Sequence, residues 1–107
     1  MSSMFIFVAV DRDGSICGTI GCNLAGDGEG HLRGMAVLPE QQGKGLAEAL
    51  LERAESQLLE CGCARVTLDT TAPLERAIRF YEKHGYRATG RVTDFFGMPL
   101  YEYAKNL

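Results

Sequence analysis

Val37-Leu38-Pro39-Glu40-Gln41-Gln42-Gly43-Lys44-Gly45-Leu46-Ala47 leaves one apolar run and opens another through two glycines, and its reading decides the fold. Upstream, His31 to Leu38 alternates like a β-strand and is stopped by Pro39, which has no N–H to give a ladder. Downstream, apolar residues recur at Ala47, Leu51, Ala54 and Leu58, while Glu48, Glu52, Glu55 and Glu60 take the remaining surface. That spacing predicts an amphipathic helix from Gly45 to about Glu60, ended near Gly62. A helix start offers unpaired N–H groups and about half a positive charge, and glycines let an anion approach the backbone. The stretch therefore predicts an anion site made of main chain, beyond the carboxyl end of a strand, where open sheets tend to place ligands.

Three readings compete for it. A P-loop needs a glycine five residues before its Gly-Lys and a Ser or Thr after it, but Gly43 has no such partner and Lys44 is followed by Gly45. A dinucleotide fingerprint starting at Gly43 needs Gly or Ala at position 48, which is Glu48. A glycine turn that only caps a helix is the third.

Around this stretch the chain alternates between strand-like and helix-like segments. Met4 to Val10 and Ser15 to Leu24 are predicted to form a hairpin about Asp11-Arg12-Asp13-Gly14, with Ile16, Gly18, Ile20, Cys22 and Leu24 on one buried face. Ala25 to Gly30 reads as a flexible loop. In the third strand Leu32, Gly34, Ala36 and Leu38 should share one side, and His31, Arg33, Met35 and Val37 the other. Arg65 to Asp69 alternates again, so strand, helix and strand predict a parallel βαβ crossover, right-handed by default. A second helix is predicted from Pro73, with Leu74, Ala77, Ile78 and Tyr81 as its stripe and Gly85 as its stop. Tyr86 to Val92 and Leu100 to Lys105 close the sheet, joined through Thr93 to Pro99. The predicted class is α+β: a mixed, largely antiparallel sheet with two main helices.

Composition narrows the function. A chain of 107 residues, 46% hydrophobic, suits one domain over residues 1–107, burying roughly two-thirds of its unfolded surface. A net charge of −3 argues against a nucleic-acid partner, which needs clustered Lys and Arg, and suits a cationic or neutral small molecule. Cys17, Cys22, Cys61 and Cys63 match no disulfide framework or zinc spacing, so no metal is expected; they read as reduced small hydrophobes in a cytoplasmic protein. The longest apolar run, Met4 to Val10, is far shorter than the ~20 residues that span a bilayer, so no membrane role is expected.

Gln42-Gly43-Lys44-Gly45-Leu46-Ala47 resembles the acyl-CoA loop, Gln/Arg-x-x-Gly-x-Gly/Ala, of the GNAT superfamily of N-acyltransferases. Leu32-Arg33-Gly34-Met35-Ala36-Val37-Leu38-Pro39 looks like the family's central strand, and Ala77-Ile78-Arg79-Phe80-Tyr81-Glu82-Lys83-His84-Gly85-Tyr86 like its later helix and strand start. The resemblance covers essentially the whole chain from the hairpin onward. It implies acetyl-CoA as co-substrate, with main-chain N–H groups of Gln42, Gly43, Lys44, Gly45, Leu46 and Ala47 holding the pyrophosphate. Met35, Ala36 and Val37 would lie along the pantetheine arm where the central strands splay apart, the main chain of Met35 and Val37 pairing with it.

The resemblance further implies direct transfer of an acetyl group to a primary amine of a small molecule. Tyr81 matches the family's proton donor to sulfur, the Val37 N–H is the candidate for the oxyanion, and His31 and Glu29 are the candidate bases. His84 suits a helix C-terminus better than a catalytic post.

Two departures stand out. Leu74 occupies a position where the family often carries a cofactor-contacting Asn, and the chain starts at the hairpin, where family members usually begin with a further strand and two helices. A homodimer would complete the acceptor side, with Phe95-Phe96-Gly97-Met98 as a contact, unless those phenylalanines fold back on their own core. The alternative function is a non-catalytic acyl-CoA-binding or dimerisation module.

Overall fold

The computed structural model describes residues 4–71 and 75–107. Its strands are β1 (Met4–Val10), β2 (Ile16–Gly26), β3 (Glu29–Val37), β4 (Arg65–Thr71), β5 (Arg87–Phe95) and β6 (Met98–Asn106), and its helices α1 (Leu46–Glu60) and α2 (Glu75–Lys83). The sheet runs β1-β2-β3-β4-β6-β5, antiparallel throughout except for β3 beside β4. This is the mixed, largely antiparallel sheet with two helices that the alternating patterns predict. The predicted helix start at Pro73, and Leu74, lie outside the described residues.

Leu50, Leu51, Ala54 and Leu58 of α1 are buried against Ile20, Cys22 and Leu32 on one side and Val66 and Leu68 on the other. Each buried Leu or Ile contributes roughly 1.5–3 kcal/mol. At Gly30 there is no room for a side chain: a Cβ would stand 2.7 Å from the Leu58 methyls. The stripe found, with Leu50 added and Ala47 only half-buried, is turned slightly from the predicted one.

Irregularities in the ladders change which side chains face α1. Between Ala9 and Val10 the register slips so that Cys17 is extra on β2, which sends Ile16 to solvent and Cys17 inward, against the predicted face. In β3, Thr19 pairs with Ala36 but Gly21 with Arg33, so β3 holds one extra residue. Gly34, at φ +54°, absorbs it in the left-handed region. The bulge puts Met35 and Val37 on the same side as Leu32, where they pack on the core; strict alternation had placed them opposite.

Two connections are shorter than predicted. Gly26 pairs with Glu29 around Asp27-Gly28, and Phe95 with Met98 around Phe96-Gly97, with positive φ at both central residues of each turn. Such turns match the twist of their strands, so the chain needs no loop there.

Glu55, assigned by periodicity to the surface, is instead tucked inside at 15% side-chain exposure. It accepts hydrogen bonds from the fully buried Tyr86 hydroxyl (2.7 Å) and from Lys105 Nζ (3.0 and 3.1 Å), tying α1 to β6 and to the turn that ends α2. Burial, then the bond to Glu55, pushes the Tyr86 phenol well above its ordinary value of 10.0. Because the raised group favours folding only while the unfolded tyrosine also stays protonated, stability should hold below pH 10 and fall above it. Denaturant titration across that range should show the decline, and Tyr86→Phe should flatten it.

Candidate active site

The parallel pairing of β3 with β4 stops at His31 opposite Thr67, although β3 continues to Val37 and β4 to Thr71. Beyond that rung the strands part. The Leu38 N–H bonds to the Cys17 carbonyl at 2.9 Å, which makes Gly18 and Val37 a non-hydrogen-bonded pair. The Val37 N–H therefore turns away from β2, towards the gap.

The segment after Val37 makes a 3₁₀ turn over Pro39–Gln41 and then runs into α1. Gln42 is not a free donor, contrary to expectation: its N–H bonds to the Pro39 carbonyl at 3.2 Å, and its side-chain amide donates to the Val37 carbonyl at 3.2 Å. It ties the loop to the strand end. Gly43 and Gly45 both take φ +80°, Gly45 as the N-cap of α1 with no capping side chain. Among the described residues, no main-chain carbonyl accepts from the N–H groups of Gly43 to Glu48. Those donors and the positive end of the helix dipole face one wall of a cleft.

That cleft, about 690 Å³, is bounded by Met35, Ala36 and Val37, by the loop and first turn of α1 through Gly43, Gly45, Leu46 and Ala47, and by α2. Tyr81 lines it; Lys44 does not. Sequence reasoning missed Arg76 and Phe80, which also face it. Their signal was their position, five residues and one residue before Tyr81 on the same helix.

Tyr81 is held by the way α2 ends. After Lys83 the chain turns at Gly85, the Gly85 N–H returns to the Glu82 carbonyl at 3.1 Å, and the Tyr86 N–H to Tyr81 at 3.0 Å. This is a Schellman stop, and its hydrophobic contact is the Tyr81–Tyr86 ring pair at 5.8 Å. Burial raises the Tyr81 phenol pKa, so it stays protonated at neutral pH. Among the described residues its hydroxyl has no hydrogen-bond partner. His84 caps the same helix end, its Nε2 3.8 Å from Glu48 in the first turn of α1.

The two candidate bases stand apart. Glu29, opposite Arg65 at the start of the parallel pairing, is in an ion pair with that arginine. His31, on the last rung before the gap, has Nδ1 2.8 Å from Thr67 Oγ1 and Nε2 3.6 Å from Asp69 Oδ2. Burial lowers its pKa, Asp69 opposing, so the ring is neutral at pH 7. Phe95 and Phe96 do not fold back on the core; Phe96, at the hairpin tip, is 93% exposed. All four cysteines are free, and no group of His, Cys, Asp or Glu among the described residues could hold a metal.

An acetyltransferase from Bacillus cereus ATCC 14579 superposes on this chain with a TM-score of 0.83 and 26% identity, over 99% of this chain and 74% of its own. A GNAT-family acetyltransferase from Staphylococcus aureus Mu50 gives 0.86 at 21%, over 97% and 68%. A chain of the NatC complex bound to Gag peptide and CoA gives 0.83 at 21%, over 95% and 70%. The latter two likenesses are of fold. A family model described as acetyltransferase (GNAT) family matches residues 2–86. The chain, with its splayed central strands and uncapped glycine-led helix, belongs to the GNAT acetyltransferase family.

Proposed function

We propose that this chain moves an acetyl group from acetyl-CoA to a primary amine of a small molecule, the amine attacking the thioester directly. The observation that carries the proposal is the uncapped start of α1, opening into a cleft that the edge of β3 and Tyr81 also line. The free N–H groups from Gly43 onward suit a pyrophosphate, and Arg76 adds a cation to the lining. The Val37 N–H, facing the gap, suits the oxyanion that forms at the carbonyl; a fixed dipole there needs no reorganisation. Tyr81, protonated, gives its proton to the departing sulfur. His31 is the favoured base over Glu29, because it is neutral and stands at the gap, whereas Glu29 is engaged by Arg65.

A panel of primary amines, scored by thiol release from acetyl-CoA, tests the proposal. Tyr81→Phe should lower turnover roughly tenfold to a hundredfold while sparing acetyl-CoA binding, since a thiolate leaves tolerably well unaided. Unchanged turnover removes Tyr81 from the mechanism. Acetyl-CoA binding without release for any amine favours the non-catalytic module.

The exposed Phe95, Phe96 and Met98 suit contact with a second copy of the chain, and the free cysteines suit a reducing cytoplasm. Sedimentation should show a dimer that Phe96→Asp dissociates; a monomer at all concentrations removes that part of the proposal.

A further inference from the structure

His31 and Leu32 point to opposite faces of β3, and since Leu32 packs in the core beneath α1, the imidazole lies on the face away from that helix. There it meets β4, whose Thr67 and Asp69 share that face at successive alternate positions. Thr67 Oγ1 donates its proton to the Gly30 carbonyl at 3.5 Å. That bond is long, and the 2.8 Å contact with the ring can run either way; with the threonine proton on the Gly30 carbonyl, Oγ1 accepts from His31 Nδ1–H and Nε2 is left bare. Asp69 Oδ2, 3.6 Å from Nε2, is too far for a hydrogen bond to a neutral ring and close enough to steady an imidazolium.

We infer that Thr67 and Asp69 are positioning residues for a base at His31: Thr67 holds the tautomer that exposes Nε2, and Asp69 stabilises the charge the ring gains on taking a proton from the acceptor amine. This rests on the reading of His31 as the base. The proton moves from the attacking nitrogen to Nε2 as the new C–N bond forms, and Nδ1–H stays bonded to Thr67 throughout. The other charged groups facing the ring are Arg33 on its own strand and Glu102 on β6; the Glu102 carboxylate also accepts from Thr89 Oγ1 at 2.9 Å. Across on β2 the neighbour is Asn23, uncharged and bonded to Arg33 at 3.1 Å.

The chain has two histidines, so its nitrogen-15 spectra read the ring directly, with His84→Gln for assignment. His31 should appear as the Nδ1–H tautomer, titrating below the ordinary 6.5. Thr67→Val should send it to the Nε2–H form and lower kcat roughly tenfold with acetyl-CoA stabilisation unchanged, and Thr67→Ser should restore both. Asp69→Asn should move the titration midpoint, and the acid limb of kcat/KM, further down. An Nε2–H tautomer in the wild type, or a midpoint unmoved by Asp69→Asn, overturns the inference while acetyl transfer stands. Full CoA release by His31→Gln overturns it through the base itself. Absence of any acetyl-CoA stabilisation of the wild type instead sinks the functional reading.

Discussion

Gly45→Asp should abolish the rise in melting temperature expected of the wild-type chain with acetyl-CoA. At ~100 times its dissociation constant a ligand adds about 2.7 kcal/mol, worth on the order of 10 °C for a domain this size. Position 45 is the N-cap of α1, at φ +80°, and a Cβ built there meets nothing within 4 Å. The substitution therefore causes no clash, and Asp tolerates the left-handed region better than most side chains. What it does is place a carboxylate, which can itself cap the helix, beside the N–H groups proposed to hold the pyrophosphate. Gly45→Asn makes the same backbone demand without the charge and should keep part of the stabilisation. Equal loss in both would trace the effect to strain; full retention in Asp would sink the main-chain anion site.

Glu55→Ala should lower stability by about 3 kcal/mol, roughly 12–20 °C in melting temperature. The figure is the low end for a broken buried pair, because Lys105 keeps 25% side-chain exposure and can reach some water. The loss comes from what is left behind: an ammonium without its carboxylate and the Tyr86 hydroxyl, fully buried, without its acceptor. Glu55→Gln, which can still accept from Tyr86, should cost less. Glu55→Leu with Lys105→Met removes both charges and should recover part of the deficit. Thermal unfolding of the three variants beside wild type decides; a Glu55→Ala protein as stable as wild type would show that the network contributes nothing net. Because Tyr86 packs on Tyr81 across the stop of α2, the same variant should also loosen that wall of the cleft.

Local pattern made the element order and the loop legible. A run of alternating residues, a proline, two glycines and a three-to-four repeat are local signals, and each follows from backbone sterics acting over a few residues. The site was legible only in part. The glycine loop could be found from spacing and Tyr81 as a site candidate from the family resemblance, yet that Gln42 gives its N–H to Pro39, and that Arg76 reaches the cleft, depend on how the chain folds back on itself.

The sequence by itself determined where strands and helices form, that β3 passes to α1 through a glycine-led turn, and which helix face is apolar. Only the tertiary structure decided which way β3 faces after Gly34, that Glu55 lies inside, and that His31 stands between Thr67 and Asp69 where two strands part. The physical reason is common to all three. One extra residue in a ladder inverts every side chain beyond it, and a partner 36 or 50 residues away leaves no trace in the periodicity of either segment.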